Sequence, residues 1–208
     1  MAQSLPLPAD TMVGSALPAL SDPRSRLVRN VMLAFAGSLL LVLAAKVKVP
    51  LWPVPVTLQT LAILALGAAY GPRLGLATVA LYLGYGLAGL PVFTNTPPML
   101  AGPLYFAGPT GGFLIAALPA VAVAGWAAAR GASLLRLVAG LVAADLVILG
   151  LGCLWLAFGA QMASGATGIG LSSAWVAGVQ PFLIGEALKV ALAASLVGAG
   201  WTLLKRRG

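Results

Sequence analysis

The chain has 208 residues, of which 61% are hydrophobic and 8% charged, and it contains no histidine and one cysteine, Cys153. A soluble domain carries about 25% charged residues, so the composition excludes an ordinary soluble protein and predicts an all-α membrane protein of one domain. The missing histidines exclude a Cys/His metal cluster and a Ser–His catalytic dyad. The net charge of +8 does not indicate nucleic-acid binding, because the basic residues form small clusters between apolar spans, where they report membrane topology.

Six membrane-spanning helices are predicted after a flexible N-terminal tail at 1–26, which is rich in Pro, Ser and Ala. A spanning helix needs about 20 mainly apolar residues. In chain order the predicted spans cover 27–47, 57–70, 74–90, 111–130, 134–158 and 181–204, so a single transmembrane substrate-binding domain occupies 27–208. The second and third of these spans are the shortest.

Clusters of basic residues give the predicted orientation. With six spans, nine basic residues fall on one side of the membrane, and the positive-inside rule makes this side cytoplasmic. We therefore expect both termini in the cytoplasm of a bacterial cell, with the chain a multi-pass protein of its inner membrane. Lys46 and Lys48 are exceptions at the outer end of the first span. The nine residues are Arg24, Arg26, Arg29, Arg73, Arg130, Arg136, Lys205, Arg206 and Arg207.

Two outer segments are rich in proline and glycine: "VPLWPVPVTLQ" (49–59) and "GLPVFTNTPPMLAGPLYFAGPTGG" (89–112). Proline is incompatible with regular helix, and irregular backbone near a membrane must be buried in protein or line a wet cavity. Long loops of this kind are often lids or binding loops. Their aromatic residues, together with one from the next span, would form an apolar slot for a ligand or anchor the chain at the membrane interface. These residues are Trp52, Phe93, Tyr105, Phe106 and Phe113.

Glu186 and Lys189 are two charges inside the last apolar span. Residues three apart share a helix face, and a charge within the membrane costs at least a few kcal/mol. One interpretation is an ion pair that serves packing only. The other is a ligand site, in which Lys189 binds a carboxylate and Glu186 accepts hydrogen bonds from ligand N–H groups.

Other polar residues are weaker candidates. Asp145, in the fifth predicted span, has a structural role as a pairing partner or a functional one as a proton relay. Asn95 either forms a turn or contacts a ligand, and Gln59 either caps a helix or points into the cavity. Thr110 belongs to "GPTGG" (108–112), whose small residues and free backbone N–H groups would let a ligand approach closely.

Ala34 and Ser38 in the first predicted span are two small residues four apart. Small residues at this spacing allow another helix to approach closely. They are therefore candidates for an interface with a partner helix.

Four stretches follow one another in a characteristic order: "VPLWPVPVTLQTLAILALG" (49–67), "GPRLGLATVALYLGYGLAGLPVF" (71–93), "GPTGGFL" (108–114) and "PFLIGEALKVALAA" (181–194). Together they resemble the BioY family, whose members are biotin-specific substrate-binding (S) components of energy-coupling factor (ECF) transporters. The resemblance covers about residues 30–204. It implies a six-helix S-component fold that binds the vitamin near the outer face, beneath the loops after the first and third helices.

The resemblance also implies roles for particular residues. The family's last-helix pattern usually reads G-D-x-x-K; here Glu186 replaces the aspartate and Lys189 is kept. Asn95 matches a polar position after GLPVF, whereas Phe113 stands where many relatives have tyrosine and 94–100 departs from a glycine-rich version. The ureido ring of biotin suits Glu186 and Asn95, and its carboxylate suits Lys189. The reverse pose, with Lys189 at the ureido oxygen, stays open.

The preferred function is therefore biotin binding and uptake, with biotin as transported ligand, no cofactor and no catalysis. The resemblance implies a transmembrane coupling protein and two cytoplasmic ATPases as partners. The chain has no Walker A motif, so it is not itself the ATPase. A proton-coupled or stand-alone small-molecule transporter that uses Asp145 and Glu186 is the alternative. An intramembrane enzyme with these two carboxylates has no further support.

Overall fold

A computed structural model describes residues 11–18, 20–50, 56–96, 98–99, 101–129 and 132–205. Within these ranges the regular secondary structure is helical, apart from one two-stranded antiparallel hairpin. A 3-10 turn, Gln180–Phe182, joins the last two helices. The elements are α1 (Met12–Ala16), α2 (Pro23–Lys46), β1 (Lys48–Val49), β2 (Val56–Thr57), α3 (Gln59–Leu87), α4 (Pro103–Ala107), α5 (Gly111–Ala127), α6 (Leu134–Phe158), α7 (Leu171–Gly178) and α8 (Leu183–Lys205).

The long helices have the length and the apolar surface of membrane-spanning helices. In the described part of the chain, α2, α3, α6 and the stretch from α7 through α8 are long and apolar enough to cross a membrane, and α5 is a shorter apolar helix of 17 residues. Large apolar side chains are exposed along them, among them Met32, Leu43, Trp126 and Ile184. Apolar side chains are compatible with hydrocarbon. A helix also satisfies its backbone hydrogen bonds internally, as the lipid interior requires. The prediction of an all-α membrane protein is confirmed at this level.

The start of α2 shows a local signal that hydropathy alone overlooks. The helix begins at Pro23, before the predicted start at residue 27, because Asp22 caps it: the Asp22 carboxylate accepts a 2.8 Å hydrogen bond from the Ser25 amide. Proline in the first turn needs no amide partner, which makes Asp-Pro a strong helix start. Part of the predicted tail is also ordered as α1, which packs against α3 and α8.

A break divides α3 at Gly71, which has φ 77° and ψ 172° and is followed by Pro72. Glycine adopts a positive φ without steric cost, and proline cannot continue the hydrogen bonding of the preceding turn. The break lies between the second and third predicted spans. A β-carbon at Gly125 of α5 would lie 2.5 Å from the Pro72 nitrogen, so the break also brings α5 against the α3 backbone.

Small residues bring α3 close to its neighbours. A β-carbon at Gly67 would lie 2.6 Å from the Val121 carbonyl oxygen of α5, and one at Gly75 would lie 2.9 Å from the same valine's side chain. On the other side, the Tyr70 hydroxyl donates to the Leu33 carbonyl of α2 at 3.1 Å. Close backbone approach replaces hydrophobic driving force in a membrane. As a result α3 lies between α2 and α5 and forms the centre of the bundle.

The segments between the long helices hold more structure than the sequence predicts. The hairpin pairs Lys48 with Thr57 and Val49 with Val56, as expected for a stretch that is not helical. Within the predicted loop 89–112, α4 forms a short helix. Helix α7, which follows Gly170 at φ 79°, lies in a stretch that was predicted to be a loop. These segments converge on one end of the bundle, where they enclose a cavity.

Candidate functional site

A cavity of about 610 Å³ lies among the first turn of α3, the start of α5, the second half of α6, α7 and the start of α8. This volume is in the usual range of about 300–1,000 Å³ for small-molecule sites. Its lining is mainly apolar, with a few polar groups. Every predicted substrate-binding residue that the structure describes lines it: Gln59, Phe93, Asn95, Tyr105, Thr110, Phe113, Glu186 and Lys189.

Glu186 and Lys189 form the charged part of the cavity wall. The Lys189 ammonium donates to Glu186 Oε1 at 2.6 Å, and the two residues are only 5% and 6% exposed. Thr60 of α3 also donates to Glu186 Oε1, at 3.4 Å. Glu186 Oε2 has no hydrogen-bond partner among the described protein groups. The pair is therefore both a buried ion pair and a wall of the cavity, with one acceptor oxygen left over.

Asp145 of α6 lies behind this pair. It is 6% exposed and close enough to Glu186 and Lys189 to interact electrostatically with both, but it does not line the cavity. The buried cluster therefore contains two carboxyl groups and one ammonium group. Asp145 Oδ1 has no hydrogen-bond partner among the described residues, so whether Asp145 is structural or functional stays a prediction.

The turn at 93–96 covers one side of the cavity and is held by hydrogen bonds from Thr96 and Lys46. The Thr96 hydroxyl bonds with the amide and the carbonyl of Phe93, at 3.0 and 2.9 Å. The ammonium of Lys46, at the end of α2, donates to the Phe93 carbonyl at 2.6 Å and to the Thr96 carbonyl. Neither Lys46 nor Thr96 was predicted as a site residue. Their contacts fix the segment that carries Phe93, Thr94 and Asn95 into the cavity wall.

Phe93 is the centre of an aromatic cluster. Its ring stacks on Tyr105 with centroids 4.9 Å apart and meets Tyr82 and Phe106 edge-on at 5.4 Å. The ring lies directly over Gly86 of α3, where any side chain would overlap it. Edge-to-face and offset-stacked pairs stabilise beyond the area they bury. The cluster gives the cavity a rigid aromatic side.

Phe113 and the "GPTGG" stretch form the opposite side. Gly152 of α6 and Gly178 of α7 both face the Phe113 ring, so the absence of side chains there makes room for it. The Trp155 indole N–H donates to the Gly108 carbonyl at 2.9 Å and fixes the entry to α5. Thr110, just before α5, lines the cavity as predicted.

Two other predicted residues, Ala34 and Ser38, lie apart from this site, and a third is not described. Trp52 lies outside the described residues. Ala34 and Ser38 are buried in the bundle: the Ser38 hydroxyl donates to the Phe35 carbonyl at 2.7 Å and lies 3.3 Å from the Tyr85 hydroxyl of α3. The close approach that these small residues allow is therefore made to α3 of the same chain.

Sequence reasoning also missed cavity residues that carry polar groups. Thr57 and Thr60 belong to the quoted stretch 49–67 and line the cavity with Gln59. Lys48 lines it as well, although the sequence analysis noted this lysine only as an exception to the charge pattern. That exception was a usable signal, because a basic residue on the predicted outer side departs from the positive-inside rule.

Comparison with known proteins agrees with this geometry. Residues 14–206 match the model of the BioY family. The chain belongs to the BioY family. The resemblance expected from four sequence stretches is thus confirmed, and it extends over nearly the whole chain.

Similar BioY proteins occur in distant organisms. A probable biotin transporter BioY of Pyrococcus horikoshii is 33% identical over 149 residues, which cover 72% of this chain and 82% of the relative. The biotin transporter BioY of Rhizobium etli is 33% identical over 163 residues, covering 74% and 83%. A crystal structure of the S-component for biotin from an ECF-type ABC transporter superposes with a TM-score of 0.68 at 22% identity, covering 90% of this chain and 95% of that one. This BioY chain therefore has the fold of that S-component.

Proposed function

We propose that this chain binds biotin and takes it up across the membrane as the S component of an ECF-type transporter, with no catalytic step of its own. One observation carries the proposal: the predicted ligand residues, far apart in the sequence, meet in one cavity of suitable volume that contains a buried Glu186–Lys189 pair. Biotin transporters are also the relatives with which the chain shares most of its length.

The chemistry of biotin matches this cavity. The ureido ring offers two N–H donors and one carbonyl acceptor, and Glu186 Oε2 is a buried acceptor without a donor among the described residues. Asn95 offers both donors and an acceptor. Phe93, Tyr105 and Phe113 supply the apolar surface that the thioether ring and the aliphatic chain need. Gln59 and Thr110 add polar groups to the lining.

Calorimetric titration tests the proposal directly. The purified chain in detergent, stripped of ligand, is expected to bind biotin with one-to-one stoichiometry and a Kd below about 1 µM, which corresponds to about 8 kcal/mol. Octanoate, which has an aliphatic acid but no ureido ring, is the control and should give no saturable heat. If protein shown to be folded gives no heat with biotin, biotin is not the ligand.

The turn clamp formed by Lys46 and Thr96 has a kinetic consequence. Lys46→Met removes the donor to the Phe93 and Thr96 carbonyls, so the 93–96 turn opens more often. Biotin should dissociate about tenfold faster with little change in its association rate, since affinity changes within one site act mainly on dissociation. Stopped-flow displacement measures both rates. Lys205→Met, at the exposed end of α8, is the matched control, and equal dissociation rates in the two variants would contradict the clamp.

The membrane arrangement is part of the proposal. Counting the two parts of α3 separately, and α5 with the long helices, there are six spans with both termini in the cytoplasm. The positive-inside rule supports this orientation, and a bacterial inner membrane is the expected location. Cysteine accessibility in intact cells, with Cys153 replaced by serine and single cysteines placed at the hairpin and at the C-terminus, would test the orientation.

Partners follow from the S-component fold. We propose a transmembrane coupling protein and two cytoplasmic ATPases as the energising module. Ala34 and Ser38 remain candidates for the coupling interface, because their small side chains narrow this stretch of α2. Ser38 is fully buried, so a partner helix would contact this stretch through its exposed neighbours Phe35 and Leu39.

The proton-coupled alternative is not favoured. The relatives are named as biotin transporters, and Asp145 lies behind the Glu186–Lys189 pair instead of lining the cavity. If a pH gradient drove the uptake of labelled biotin into vesicles without ATP, that result would support the proton-coupled alternative.

A further inference from the structure

Lys48 is a charged cavity residue that the family comparison leaves without a role. It lies on β1, paired with Thr57, and both residues line the cavity at the hairpin. Among the described lining residues only Lys48, Glu186 and Lys189 carry charge, and Lys48 alone of the three makes no ion pair within the described protein. It is exposed, whereas Lys189 is 5% exposed.

The buried end of the cavity is unsuited to a ligand carboxylate. The charge of Lys189 is already balanced by Glu186 at 2.6 Å, and Asp145 adds a second carboxyl group close to both. A ligand carboxylate placed there would be the third acid around one ammonium group. It would also lose its hydration, which is costly for an ion unless new partners compensate fully. A neutral ring with N–H and C=O groups fits that end without either penalty.

The hairpin end offers the opposite conditions. Lys48 is exposed there, so a carboxylate beside it keeps part of its hydration, and Lys48 makes no ion pair with the described residues. Lys46, the neighbouring cation, is occupied by the carbonyls of the 93–96 turn. We propose that Lys48 binds the terminal carboxylate of the ligand and so makes the site selective for the free acid. This inference rests on the proposed function, because it takes biotin as the ligand.

A residue-by-ligand cycle tests it. Biotin and its neutral methyl ester are titrated into the wild type, Lys48→Gln, Lys48→Arg and Lys205→Gln at low ionic strength, with thermal unfolding as the check on folding. The wild type and Lys205→Gln should bind the acid about tenfold more tightly than the ester. In Lys48→Gln that preference should vanish through weaker binding of the acid alone, and Lys48→Arg should restore it.

The outcomes are distinct. An acid-over-ester preference that persists in Lys48→Gln, or a wild type that binds both ligands equally, overturns the role of Lys48 while biotin binding stands. Lys48→Glu is a second variant in case Lys48→Gln does not fold. Its carboxylate repels the ligand acid, so it should bind the ester more tightly than the acid. Folded wild-type protein that binds neither ligand overturns the proposed function, and this inference with it.

Discussion

Replacing Lys189 with methionine is expected to weaken biotin binding by about thirtyfold or more. The ammonium donates to Glu186 Oε1 at 2.6 Å inside the cavity wall, and its removal leaves a buried carboxylate without its cation. Hydrogen bonds to charged groups contribute about 1.5–3 kcal/mol, and each 1.4 kcal/mol is tenfold in affinity. Calorimetry on the purified variant measures the loss.

The same change should also destabilise the fold, since breaking a buried pair from one side costs about 3–5 kcal/mol. A double variant separates the two effects. Glu186→Gln combined with Lys189→Met removes both charges, so its thermal stability should recover towards the wild type while binding stays weak. Glu186→Asp restores the residue usual in the family and should keep most of the affinity. Biotin binding of wild-type strength in the double variant would mean that the pair serves packing only.

Much of this site was within reach of the sequence, for a physical reason. A charge inside an apolar helix is costly enough that it needs a partner or a ligand, which singled out Glu186 and Lys189. The Pro-rich and Gly-rich segments between the predicted spans drew attention to Phe93, Asn95 and Tyr105. The small-residue stretch at 108–112 and the aromatic at the start of the next span added Thr110 and Phe113. All of these line the cavity.

The contacts that hold the site together were out of reach. Lys46 and Thr96 are 50 residues apart, and no local pattern pairs an end-of-helix lysine with two loop carbonyls. Asp145 was identified as buried, but its place beside Glu186 depends on how α6 packs against α8. The short helix α7 was missed because its eight residues follow a glycine-rich loop and lack a side-chain cap. The length and apolar composition of a stretch predict helices that face lipid better than they predict the segments that cover a cavity.

A single methyl group on Gly86 is expected to disrupt the aromatic side of the cavity. A β-carbon there would overlap the Phe93 ring, which is 1% exposed and packed between Tyr82 and Tyr105. The ring has no room to retreat, so Gly86→Ala should displace Phe93 and, with it, Asn95 two residues later. Overpacking of this kind costs about 1–3 kcal/mol. Biotin affinity should fall by about tenfold or more.

Gly84→Ala provides the matched control on the same helix. A β-carbon at Gly84 meets no atom within 4 Å, so this variant gains the same helix propensity from alanine without the overlap. It should bind biotin like the wild type and melt at the same temperature or slightly above it. Adding Phe93→Ala to Gly86→Ala should relieve the overlap and restore stability without restoring affinity, because the ring itself is part of the site. Equal biotin affinities for Gly86→Ala and Gly84→Ala would show that Phe93 can move without cost, and the aromatic cluster would then not be what shapes the cavity.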